Sequence, residues 1–133
     1  MSLIVQKFLT AAITYFVVGL LLQVVVLADV WWGFNPLAYT SVGITEQALF
    51  FGWLSQVVLA LVYDRWLPTP QFGLLIYRLF NFGLPLTILG QPILTLTGAN
   101  WLGLLIVIGG ILQLIAGGLV VWEIRQRLVD LSA

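Results

Sequence analysis

Few residues of this chain can do chemistry, and those that can are set in long apolar stretches. Glu46 and Gln47 place a carboxyl beside an amide, and Arg78, Phe80 and Asn81 form a second polar and aromatic group. Gln91 stands immediately before Pro92, and further amides occur at Gln23, Gln56 and Gln113. Such groups can hydrogen-bond a ligand, and Trp53, Phe80 and Phe82 can stack against one. They cannot assemble a nucleophile or a metal centre of the usual kind. The chain has no His and no Cys, which removes the common general base, the thiolate nucleophile and the preferred zinc and heme ligands. The acidic residues are too scattered for a two-metal site. No phosphate-binding loop is present either. Catalysis by the protein's own side chains is therefore not expected, and no resident metal or cofactor is expected.

The elements that carry these residues follow from composition. Of 133 residues, 62% are hydrophobic and 8% are charged, whereas a soluble domain carries about a quarter charged residues. The charges punctuate the chain. Phe8 to Ala28 is a run of 21 uncharged residues, Glu46 and Asp64 enclose 17, and Arg78 and Glu123 enclose 44. A membrane-crossing helix needs roughly 20 apolar residues. The longest run is broken at Thr97-Gly98-Ala99-Asn100, so it holds two crossings. The expectation is an all-α integral membrane four-helix bundle, a single domain over 1–133, with spans at about 8–29, 44–66, 73–96 and 101–122. Continuous apolar runs fit helices rather than the alternating strands of a barrel. The first run is too long for the core of a secretory leader and is read as helix one.

Connections are expected to be short. Val30 to Gly43, with Trp31, Trp32, Asn35-Pro36 and Tyr39, reads as an interfacial loop, and Trp101 and Trp122 read as anchors at the two membrane faces. Pro68 is expected to stop helix two. Lys7, Arg65, Arg78, Arg125 and Arg127 all fall at or nearest one face, which places both termini in the cytoplasm. A net charge of zero gives no reason to expect nucleic acid as a partner.

Each polar residue also has a structural reading. Gln23, Gln56, Asn81 and Gln113 can bond across packed helices. Glu46, beside Thr45 as a cap, suits the first turn of helix two through the helix dipole. Arg78 can reach the headgroups from inside helix three. Pro85 and Pro92 kink helix three, and Gly109, Gly110, Gly117 and Gly118 provide a close helix contact on helix four.

Two short motifs carry a resemblance. Phe51-Gly52-Trp53-Leu54-Ser55, running through Leu61-Val62-Tyr63 to Leu67-Pro68, and Asn81-Phe82-Gly83-Leu84-Pro85-Leu86 resemble short four-helix membrane proteins related to the catalytic subunit of heme-copper oxidases and nitric oxide reductases. A looser similarity extends from helix one to Trp122-Glu123-Ile124-Arg125. The resemblance implies the four-helix fold and a vestigial cavity between helices two and three. At the positions where that family has His, this chain has Thr45, Gln47 and Phe80, so heme ligation does not carry over.

The leading expectation is a non-catalytic accessory or structural subunit in a membrane, bacterial inner membrane by analogy. It would pack against the subunits of a respiratory or other electron-transfer complex or against itself. The alternative is a binder of heme or another tetrapyrrole, a quinone or a carotenoid, through Glu46, Gln47, Trp53, Arg78, Phe80, Asn81 and Gln91. A proton path through Glu46 and Arg78 is a third, weaker reading.

Overall fold

The computed structural model describes residues 1–33, 38–67 and 70–132, and the described residues are helical with short connections. The elements are α1 (Leu3–Trp32), α2 (Ala38–Gln47), a π-helical segment (Ala48–Leu54), α3 (Ser55–Arg65), α4 (Gly73–Thr97) and α5 (Trp101–Ser132). α2, the π segment and α3 run on without a break. There are thus four helices long and apolar enough to cross a membrane: Leu3–Trp32, Ser41–Arg65, Gly73–Thr97 and Trp101–Ser132.

α4 and α5 start where expected, and the second span ends within a residue of its expected end. α1 runs past both of its expected ends, α2 starts early and α5 runs on well past Trp122. α1 begins at Leu3, where the Ser2 hydroxyl accepts a 3.4 Å bond from the Val5 N–H. It ends at Gly33, whose φ of 57° is left-handed. Gly98, at φ 64°, closes α4 in the same way. Glycine takes this conformation without the Cβ penalty, so it ends helices cleanly. The expected loop from Val30 to Gly43 is mostly helix: Val30–Trp32 complete α1, and α2 starts at Ala38. Asn35 and Pro36 lie outside the described residues, as does Pro68. α5 continues past Trp122 to Ser132. A helix satisfies its own backbone groups in lipid and in water alike, so the membrane boundary need not end it.

The early start of α2 changes the reading of Glu46. This residue is two turns into the helix, not in its first turn, and the Thr45 hydroxyl donates 2.8 Å to the Ser41 carbonyl instead of capping a helix end. The dipole argument for Glu46 therefore fails.

α1 runs antiparallel to α3 and the π segment. Phe8 stacks on Tyr63 with ring centroids 5.4 Å apart, Tyr15 lies on Gly52, and Leu49 fills the space over Gly19. The π segment has a packing reason. Ala48, Gly52 and Gln56 are all buried at four-residue spacing. Such a line drifts by about 40° per step in an α-helix. The wider π turn holds it to one face. A Cβ on Gly52 would sit 2.5 Å from Tyr15 Cγ, so only glycine fits there.

α5 packs against α4 and reaches the end of α3 at one end. Its buried residues are Leu102, Gly109, Ala116 and Glu123, a seven-residue repeat. That repeat is the seam of left-handed helix packing. Gly83 and Gly109 meet at the crossing: a Cβ on either would fall 2.6–2.7 Å from the other's carbonyl oxygen. Of the four glycines expected to form this contact, only Gly109 does so. Gly110, Gly117 and Gly118 have nothing within 4 Å of a Cβ position. Gly110 and Gly117 each follow a seam residue, and one residue turns the helix by about 100° away from α4.

Gly83→Leu or Gly109→Leu should separate α4 from α5 and cost about 1–3 kcal/mol by overpacking. Gly110→Ala and Gly117→Ala should leave thermal unfolding in detergent unchanged or slightly raised. Circular dichroism melts of the four variants check this contrast.

Candidate functional site

The residues able to do chemistry separate into groups. Glu46 and Gln47 line an open groove on the outer face of the second crossing helix, with Gly43, Phe50, Phe51, Leu54 and Ser55. Glu46 is exposed, while the Gln47 Oε1 is buried without a hydrogen-bond partner among the described residues. The Gln91 Oε1 lies opposite Gly43, 3.9 Å from where a Cβ would be. Trp53 points elsewhere, tilted against Phe16 of α1 at 4.9 Å. Asn81 lines a different groove between α4 and α5, beside Pro85, and its amide donates 2.9 Å to the Tyr77 carbonyl of its own helix. Arg78 is exposed. Phe80 is 8% exposed and belongs to the apolar core, whereas Phe82, expected as a stacking wall, is 68% exposed. The structure thus brings Glu46 and Gln47 together, sets Gln91 near Gly43 of their groove, and leaves Trp53, Arg78, Phe80 and Asn81 apart from them.

Heme ligation does not fit these residues. The Thr45 hydroxyl is committed to Ser41, Phe80 offers no donor atom, and the amide oxygen of Gln47 is a poor substitute for an imidazole. Among the described residues, no three His, Cys, Asp or Glu side chains are grouped as a metal site would need.

The amides of the interior behave unequally. The Gln113 amide donates 3.2 Å to the Thr87 hydroxyl across the α4–α5 contact, which in turn donates 2.9 Å to the Leu84 carbonyl. Gln56 is fully buried, yet neither atom of its amide has a partner among the described residues. Burying an unpaired amide costs on the order of 1–3 kcal/mol. The antiparallel pairing of Phe8 with Tyr63 and Tyr15 with Gly52 sets Gln56 at the level of the small residues Ala11 and Ala12.

A second centre was not legible as a site. Glu123 ends the last apolar run in the sequence, but in the fold it is only 5% exposed. Its Oε2 accepts a 2.8 Å bond from the Tyr63 hydroxyl, and its Oε1 accepts from the Phe72 N–H. Phe72 is the N-cap residue of α4, and no side chain of that helix caps it. One carboxyl group from α5 thereby holds the end of α3 and caps the start of α4, where the helix dipole favours an acceptor. Around it, Phe8 stacks on Tyr63 and meets Tyr77 edge-on at 5.5 Å, and the Lys7 ammonium lies 5.5 Å from the Tyr77 ring centroid. The signal that could have found it is the spacing of Gly109, Ala116 and Glu123, which puts a carboxyl on the contact line of α5.

These contacts gather Lys7, Arg65 and Arg127 at one end of the molecule. Comparison with protein-family models, curated proteins and solved structures finds no match to this chain.

Glu123→Leu strands a buried hydroxyl and a part-buried N–H and should cost about 2–5 kcal/mol. Tyr63→Phe removes one bond and should cost about 1–2 kcal/mol. Chemical denaturation in detergent micelles measures both, and the double variant should cost less than the sum because the two changes share one bond.

Proposed function

We propose that the protein is a non-catalytic integral membrane subunit that serves as a structural or accessory part of a larger assembly. The observation that carries this reading is the uncovered state of α5. In its most apolar stretch only 11% of the residues are buried inside the fold, and Gly110, Gly117 and Gly118 lie open on its outer side. Small residues let membrane helices approach closely, and in lipid that close packing is a main source of helix association. The absence of His and Cys from the sequence supports a role without catalysis. The resemblance to heme-copper oxidase relatives favours a respiratory or other electron-transfer complex as the partner, with copies of the same chain as the alternative. The basic residues, gathered at one end, favour cytoplasmic termini in a bacterial inner membrane.

A second reading has one specific observation in its favour. The unpartnered amide of Gln56 suits a hydrophobic ligand that carries a polar atom, such as a quinone, carotenoid or tetrapyrrole held without axial ligation.

Mild-detergent extraction from native membranes, followed by native mass spectrometry, tests the first reading. The expected species is heavier than the 14.7 kDa chain by one or more protein subunits. A bare monomer in every mild detergent would reject it. If the second reading holds, a small apolar molecule is retained, and Gln56→Leu releases it.

A further inference from the structure

We propose that the crevice between the ends of α3 and α5 binds the phosphate headgroup of an anionic phospholipid. The inference rests on the reading of the chain as membrane-embedded. The crevice holds about 260 Å³. Its walls are mostly apolar, with Trp66, Leu67, Leu128 and Leu131, and Arg65 and Arg127 line it from different helices.

Both arginines are available. The Arg65 side chain is 78% exposed, and its neighbour Asp64 is 3.8 Å away in a solvent-facing pair. Exposed pairs of that kind hold little. Arg127 has no ion-pair partner among the described residues. Asp130 lines the two adjoining grooves rather than this one. A guanidinium presents a planar fork that matches two phosphate oxygens, and two such side chains within reach of one space suit a phosphodiester.

The apolar walls select a lipid over a free anion. Leu128 and Leu131 are 57% and 70% exposed although they lie beyond Trp122, at the polar end of α5. Leu61 of α3 and Val121 of α5 are also exposed further along the helices. Acyl chains laid along these faces would cover apolar surface that water would otherwise meet. Trp66 belongs at the headgroup level that such a lipid occupies. Basic pockets between membrane helices on the cytoplasmic side are a recurrent mode of anionic lipid recognition.

Native mass spectrometry of the whole chain in neutral detergent tests the site, with dioleoyl phosphatidylglycerol, dioleoyl phosphatidylcholine and inorganic phosphate as separate probes. Phosphatidylglycerol should be retained as a bound adduct in preference to phosphatidylcholine. Arg65→Gln/Arg127→Gln should weaken that retention by about thirtyfold, the value of two interfacial cations. Arg125→Gln, which removes the same charge from a neighbouring groove, should change it less than about threefold. Arg65→Lys/Arg127→Lys should fall between, since charge remains and the fork is lost. Equal retention of the two lipids, or full retention by the double Gln variant, overturns the proposal. Competition by millimolar inorganic phosphate would overturn the lipid in favour of a soluble anion. Release of the protein from membranes by alkaline carbonate would instead reject the membrane reading on which the site rests.

Discussion

A single carboxyl group ties one end of this protein together. Glu123 reaches from α5 to the Tyr63 hydroxyl and to the backbone of Phe72. It joins three helices, its own α5 and the facing ends of α3 and α4. Without it, α5 would hold to the rest mainly through its contact with α4. Phe8 then extends the same cluster to α1 by stacking on Tyr63. A bond of this kind matters because Tyr63 and Glu123 are both nearly buried, where a partner left unpaired stays unsatisfied. The cluster also fixes which end of each helix lies together, and so gathers Lys7, Arg65 and Arg127.

Away from that end, shape takes over. α4 and α5 touch backbone to backbone at Gly83 and Gly109, and α1 lays Tyr15 over Gly52. In a lipid environment apolar helices gain little from leaving lipid for each other, so close approach and dispersion must supply the attraction. The π turns at Ala48–Leu54 belong to the same economy of space. They keep Ala48, Gly52 and Gln56 on one face, at the expense of a regular helix and of an amide with no partner among the described residues.

The candidate ligand residues do not converge as the resemblance to heme-copper oxidase relatives would suggest. The frame of four apolar helices is present, but Phe80 is packed into the core, Trp53 turns toward Phe16, and Asn81 bonds its own helix. What is left uncovered is surface: the outer side of α5, the groove at Glu46 and Gln47, and the basic crevice between α3 and α5.

The sequence by itself determined that there are four helices long and apolar enough to cross a membrane, because apolar length and charge act through the solvent and need no partner helix. It also contained the seven-residue line through Gly109, Ala116 and Glu123. It could not say that this line was the contact face, since Gly110 and Gly117 repeat with the same period one residue later. Nor could it foresee the extent of α5 past Trp122, because helix propensity does not stop where lipid does. Only the tertiary structure decided that Glu123 is buried, that Gly110, Gly117 and Gly118 are open, that Gln56 has no partner among the described residues, and that Arg65 and Arg127 share one crevice. Each of these is a relation between residues far apart in the chain, set by how helices cross and by the one carboxyl that locks their ends.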